Sequence, residues 1–145
     1  MRQIVTRADF RHLSIERLQE AEALLAIGKW GGAYYLAGYA VELALKACII
    51  NLRMATYAFP EKSFSQNCYT HDLGQLVGLS GLGDAHKAAM EADPDLKTHW
   101  MTVRDWLEST RYCRIEEVEA RDFHRAITDD EHGVLSWIRN YWQTS

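Results

Sequence analysis

Three groups of residues in this chain have the types and spacing to do chemistry. Glu42 and Lys46 stand four apart, the favourable order for an acid and a base on one helix face, and Tyr35 and Tyr39 share that face. They offer a polar site to a ligand or partner, or else an ordinary pair on a helix surface. His71 and Asp72 follow Thr70 at the start of a short apolar segment. An imidazole there can act as a base or reach Lys46 or Arg111; its plainer use is to order the preceding loop, and Asp72 suits a first helical turn. Arg111, Tyr112 and Arg114 close a later segment. They combine guanidinium forks that match phosphate oxygens with a ring on which a base can stack. The surrounding Arg104, Arg121 and Arg125 alternate with Asp105, Glu108, Glu116, Glu117, Glu119 and Asp122, so solvated helix faces compete with a phosphate patch.

Other chemistries find less support. Cys68 and His71 have ligand-like spacing, but no second pair follows at a matching interval, and no metal or cofactor is expected. Cys48 and Cys113 read as core thiols, and three scattered cysteines do not make a disulfide framework. Gly78, Gly81 and Gly83 lack the Lys-Ser/Thr and the strand that a phosphate loop needs. Nothing orients a Cys–His nucleophile pair.

The elements that must position these groups read as helices. Thr6 or Asp9 caps a first helix running to about Ile27, with Leu18, Ala21 and Leu25 buried, Leu24 at the edge, and Glu16, Glu20 and Glu22 in solvent. Gly28 ends it, and Lys29-Trp30-Gly31-Gly32 turns the chain into a second helix, from about Gly32 to Met54. Ala33, Ala37, Ala40, Ala44 and Cys48 give that helix a narrow face of small residues on which a neighbour can sit close. Thr56 to Thr70 is a long loop packing through Tyr57, Phe59 and Phe64. A short helix capped by Thr70 follows, then a helical piece from Asp84 to Asp93, stopped before Pro94. Asp95 to about Tyr112 is a further helix, with Trp100, Val103, Trp106 and Leu107 at core spacing. The last helix carries Phe123, Ile127, Val134, Ile138 and Tyr141 and bends near Thr128-Asp129-Asp130 and Gly133. No strand-period segment and no internal repeat is present. The fold class expected is all-α, an up-and-down bundle of four long helices plus short ones, in one domain over residues 1–145.

A chain of 145 residues, 48% apolar, has enough material for a core of its own. A net charge of -4 excludes indiscriminate binding to nucleic acid or membranes but leaves room for a small basic site. The sequence shows no signal-peptide pattern, and no apolar run reads as membrane-length, so a cytoplasmic protein without a membrane partner is expected. Trp137, Tyr141 and Trp142 look like a surplus beyond four helices' worth of core, which points to a homodimer.

Two blocks together resemble the HEPN family. One is Gly32-Ala33-Tyr34-Tyr35-Leu36-Ala37-Gly38-Tyr39-Ala40-Val41-Glu42-Leu43-Ala44-Leu45-Lys46-Ala47; the other is Thr70-His71-Asp72-Leu73 with Leu76. Trp106 to Arg111-Tyr112 is similar to the segment that closes the next helix in many members. The resemblance covers roughly Gly28 to Tyr112 and implies a helical bundle, frequent homodimers, RNA or nucleotide ligands, and a setting beside nucleotidyltransferases in toxin–antitoxin or defence systems. Active HEPN ribonucleases carry an Arg followed, after about four to six residues, by a His, and cleave RNA without metal across a dimer. Arg111 sits where that Arg belongs, but the matching positions hold Glu116, Glu117 and Val118. Arg7 with His12, and Arg125 with His132, have the spacing in other parts of the chain. The expectation is therefore a module binding RNA, nucleotide or a partner nucleotidyltransferase, with Arg111, Tyr112, Arg114, Glu42, Lys46 and His71 at its site. The alternatives are a ribonuclease toxin with a displaced histidine, for which Arg111 and His71 are the catalytic candidates, and a structural dimerisation domain.

Overall fold

The computed structural model describes residues 6–53 and 70–142, and its elements there are helical. The Met1–Val5 lead, the loop aromatics Tyr57, Phe59 and Phe64, and Cys68 lie outside the described residues. In order, the helices are α1 (Arg7–Ala26), α2 (Trp30–Arg53), α3 (Leu73–Leu79), α4 (Gly83–Ala92), α5 (Pro94–Val103), a 3-10 turn (Glu108–Tyr112), α6 (Glu117–Thr128) and α7 (Val134–Arg139).

The hairpin of α1 and α2 is the frame, and local chemistry sets both its ends. Thr6 caps α1 in a reciprocal box: its Oγ1 accepts from the Asp9 backbone N–H at 3.1 Å, and the Asp9 carboxylate accepts from the Thr6 N–H at 3.2 Å. At the other end Gly28 takes a positive φ of 75°. The Lys29 N–H then reaches the Leu24 carbonyl and the Gly28 N–H that of Leu25, the paired closure that satisfies two orphan carbonyls. The small-residue face of α2 is buried from Ala33 through Ala37, Ala40 and Ala44 to Cys48. Close approach there lets the buried Ser14 hydroxyl of α1 donate to the Ala40 carbonyl at 2.7 Å. Cys48 is the core thiol expected; its Sγ–H faces the Ile138 carbonyl at 3.6 Å, and burial pushes its pKa up to about 12.

α2 is packed on several sides. α1, α3, α6, α7 and the 3-10 turn all touch it, with Tyr34 stacked on Phe123 of α6 at 4.1 Å between ring centroids. By length and composition the segment Trp30–Leu52 also passes as a membrane span, contrary to the expectation that no such run exists, with a mean hydropathy of 1.4. Most of it is buried against other helices, the signature of a core helix.

The second half departs from four long helices. Among the described residues only α1 and α2 are long, and the others form a series of shorter pieces. The expected helix from Asp95 to Tyr112 stops at Val103, and Trp106 turns inward instead. Its indole lies flat against Gly38 of α2, where a Cβ would come within 2.2 Å of the ring. The space exists because position 38 has no side chain. Leu107 then faces solvent, and the chain resumes as the 3-10 turn. The expected last helix is also two helices. Asp129 ends α6 and accepts from the Glu131 and His132 N–H groups, and Gly133 sits where a Cβ would strike the Asp129 carbonyl at 2.4 Å. Trp142 is buried (3%), and Trp137 and Tyr141 pack, partly buried, on the same core.

His132 fastens this corner to the start of α5. Asp93 caps α5 with Oδ1, accepting from the Asp95 and Leu96 N–H groups at 3.1 Å, while its Oδ2 meets His132 Nδ1 at 2.7 Å. The pairing draws the Asp93 carboxyl below its ordinary range and raises His132 above the ordinary imidazole value, in each case chiefly through their mutual hydrogen bond.

Two outcomes follow. Gly38→Ala forces the Trp106 indole from its seat and lowers unfolding free energy by about 2–3 kcal/mol; a denaturant midpoint equal to wild type's would refute the close fit. A histidine whose pKa is raised on folding stabilises below its unfolded value, and that contribution disappears as pH rises through the folded value. The melting temperature of wild type should therefore fall more than that of His132→Gln between about pH 6 and about pH 9. Parallel curves would show that the Asp93–His132 pair contributes nothing.

Candidate functional site

The site is built outward from a buried acid on α2. Glu42 is fully buried (0%), and Lys46, one turn on, is nearly so (7%). This pair is thus not the surface feature that its spacing alone allows. Lys46 Nζ donates to Glu42 Oε2 at 3.1 Å, and the other carboxylate oxygen, Oε1, meets His71 Nδ1 at 2.7 Å. Both oxygens of a buried carboxylate are engaged by cationic or ring N–H groups, the condition under which such burial is tolerated.

His71 reaches Glu42 because α3 begins directly after it. Asp72, not Thr70, caps α3, its side chain accepting from the Gln75 N–H at 2.9 Å. Thr70 acts one step earlier, its hydroxyl accepting from the Asp72 N–H at 3.2 Å. Leu73 and Leu76 anchor α3 in the core, which leaves the His71 ring between α2 and the 3-10 turn. Its Nε2 faces Glu108 Oε2 at 3.0 Å. With both ring nitrogens against carboxylate oxygens, the ring donates twice only as imidazolium.

Glu108 completes the connection to Arg111. Its Oε1 accepts from Arg111 Nη1 at 2.9 Å, one turn along the 3-10 segment. The Arg111 guanidinium lies 4.9 Å from the centre of the Tyr112 ring, and hydrogen bonding to the Tyr112 and then the Tyr35 hydroxyl raises its pKa further. Tyr112 is the most exposed large side chain of the group (79%). Tyr39 borders the acids from α2: burial first, then Glu42, raises its phenol pKa. Lys46, Glu42, His71, Glu108 and Arg111 therefore form one continuous chain of polar contacts from the core to the surface.

Of the residues expected at a site, Glu42, Lys46, His71 and Arg111 are brought together, with Tyr112 on the far side of Arg111. Arg114 is exposed on the segment before α6 and joins none of these contacts. The other late arginines pair locally: Arg104 with Asp105, Arg121 with Glu117 and Arg125 with Asp122. These are the solvated helix faces that their alternation with acids suggests. Glu108 is the member that sequence reasoning missed, taken only as one of many alternating acids. Its spacing of three from Arg111 was the available signal. The two displaced Arg–His spacings do not converge. Arg7 donates to Asn51 Oδ1 at 2.6 Å while His12 pairs with Glu16, and Arg125 and His132 are engaged by different acids.

Cys113 is exposed, not the core thiol expected of it. Among the described residues, Asp93, Asp95 and His132 place ligand-type atoms within 4.8 Å of one another, an arrangement the Asp93–His132 ion pair accounts for by itself. Compared with protein-family models, curated proteins and solved structures, the chain matches none.

Removing one member of a buried pair strands the other. Lys46→Met leaves Glu42 with His71 as its remaining partner and lowers stability by about 3–5 kcal/mol, and Glu42→Gln in the same chain restores part of the loss. If Lys46→Met alone melts like wild type, the pair is not what holds this part of α2.

Proposed function

We propose that this chain is a HEPN-like helical module that binds a phosphate-bearing, base-containing ligand, single-stranded RNA or a nucleotide, at Arg111 and Tyr112 beside His71. The observation that carries the reading is the Arg111–Tyr112 pair. A guanidinium is held against an aromatic ring at 4.9 Å, and the ring is almost wholly open to solvent. Guanidinium matches phosphate oxygens through its planar fork, and an exposed ring offers a base a stacking face worth about 1–3 kcal/mol. With a net charge of -4, attraction has to come from such placed groups rather than from the whole molecule. Arg114, nearby in sequence and unpaired among the described residues, is available to a second phosphate. The setting proposed is cytoplasmic, alone or as a homodimer, with a nucleotidyltransferase of a toxin–antitoxin or defence system as protein partner.

One observation favours a second reading, metal-independent RNA cleavage. The histidine absent from positions 116–118 has a counterpart in His71, which reaches the same Glu108 that holds Arg111. Its Nδ1 is oriented by a buried carboxylate, leaving Nε2 toward the exposed side, the arrangement by which a histidine is readied for proton transfer. In that reading His71 exchanges a proton with the ribose 2′-hydroxyl or the leaving oxygen, and Arg111 stabilises charge on the phosphate.

Titration of labelled single-stranded RNA and of ATP separates these readings. Wild type should bind with an affinity that falls as salt rises, and Tyr112→Ala and Arg111→Ala/Arg114→Ala should each weaken binding about tenfold or more while still folded by circular dichroism. Equal binding by the folded variants would move the site elsewhere. Under the binding reading the RNA stays intact. Chelator-resistant cleavage that disappears in His71→Ala would replace it with the catalytic one.

A further inference from the structure

Glu108 bridges two N–H donors from different parts of the chain. One carboxylate oxygen faces His71 Nε2 at 3.0 Å and the other accepts from Arg111 Nη1 at 2.9 Å. The imidazole and the guanidinium come from segments forty positions apart in the chain, and a single side-chain anion spans them. Anions bridged by a guanidinium and a second N–H donor are recognised in the same way whether the oxygens belong to a carboxylate or a phosphate. The geometry points to Glu108 as an internal pseudo-ligand: its carboxylate fills an anion site between His71 and Arg111, and a phosphate monoester or diester enters by displacing it. This inference rests on the phosphate-binding reading above and adds how that site is regulated.

The two acids that grip His71 differ in whether they can leave. Glu42 is wholly buried and also tied to Lys46, so it stays and keeps the imidazole oriented. The Glu108 side chain is about one-third exposed (35%), on the solvent side of the ring. Its release needs only side-chain rotation. The backbone at its position is anchored two residues earlier by the Trp106 indole, buried against Gly38. His71 and Arg111 are themselves partly exposed, so a phosphate can reach both from outside.

Charge accounts for why the exchange is balanced. While Glu108 is in place, two carboxylates face Lys46, His71 and Arg111. Once it turns away, three cationic groups face Glu42 alone, an excess of about two charges when His71 is protonated, which matches the roughly −1.5 to −2 of a phosphate monoester at neutral pH. Tyr35 and Tyr39, the other polar groups packed against this cluster from α2, bring hydroxyls and no charge. A competing anion within the chain lowers the apparent affinity by the fraction of molecules in which it occupies the site. Glu108 thereby sets a threshold for ligand without altering the contacts made once ligand is bound.

The test measures inorganic phosphate binding by calorimetry, in wild type, Glu108→Gln and Asp105→Asn. The last removes an equal charge from an exposed neighbour whose ion pair, among the described residues, is with Arg104. Glu108→Gln should bind phosphate about tenfold more tightly, Asp105→Asn within about twofold of wild type, and His71→Ala added to Glu108→Gln should abolish the gain. Equal or weaker phosphate binding by Glu108→Gln, with single-stranded RNA still bound by wild type at Arg111 and Tyr112, overturns the pseudo-ligand and leaves the binding site standing; Glu108 is then a positioning residue for Arg111. An equal gain in Asp105→Asn overturns it in favour of general charge. No binding of phosphate or RNA by any form removes both readings. Should Glu108→Gln fail to fold, ring-nitrogen resonances of His71 in wild type decide: they should shift saturably with phosphate and not with chloride at matched ionic strength, and a static signal overturns the exchange.

Discussion

A carboxylate enclosed by protein has to be answered by donors, and Glu42 imposes that demand from the middle of the most buried helix. Lys46 answers from the same helix and His71 from another part of the chain. Because α2 touches most of the other helices, this local requirement fixes more than one side chain. It brings the start of α3 to α2, and through Glu108 it brings the 3-10 turn to both. Buried ion pairs add little to net stability when well-packed apolar residues are the alternative. What this one does is specify an arrangement, because a misplaced α3 leaves a charged group without a partner in the core.

The same chain of contacts grades from rigid to free. Glu42 and Lys46 are enclosed, His71 and Glu108 are intermediate, and Tyr112 is nearly in water. An inner end locked by desolvation and an outer end able to exchange partners is a workable design for recognition, since the exposed groups arrive already oriented. The neighbouring aromatics extend the gradient, with Tyr35 and Tyr39 edge to face and Tyr35 also beside Trp106.

Helical content and the α1–α2 hairpin were legible in the sequence, because their signals are local. The Thr6–Asp9 cap, the Gly28 closure and the alanine stripe depend on residues a few positions apart. The breaks were not. Trp106 keeps helical spacing with Trp100 and Val103, and only its fit against Gly38, far away in sequence, shows that the helix must end first. Gly133 and Asp129 gave a hint of a bend, yet the full stop between α6 and α7 comes from a carbonyl packed where a Cβ would be. At the site, five of the six expected residues meet or adjoin, while Arg114 stands apart. Glu108 escaped because the feature that distinguishes it from its acidic neighbours is a histidine supplied from just before α3, far away in sequence.

The position of His71 also bears on how the chain is threaded. Arg53 stands eleven positions beyond Glu42 on α2, about 16 Å further along the axis, while His71 meets Glu42 itself. About five extended residues cover that distance, and the sequence supplies more than three times as many between Arg53 and His71. Tether length therefore does not hold the histidine in place; the ion pair and the Asp72 cap do. By closure entropy alone, each doubling of the number of residues between Arg53 and His71 costs the site only about 0.6 kcal/mol.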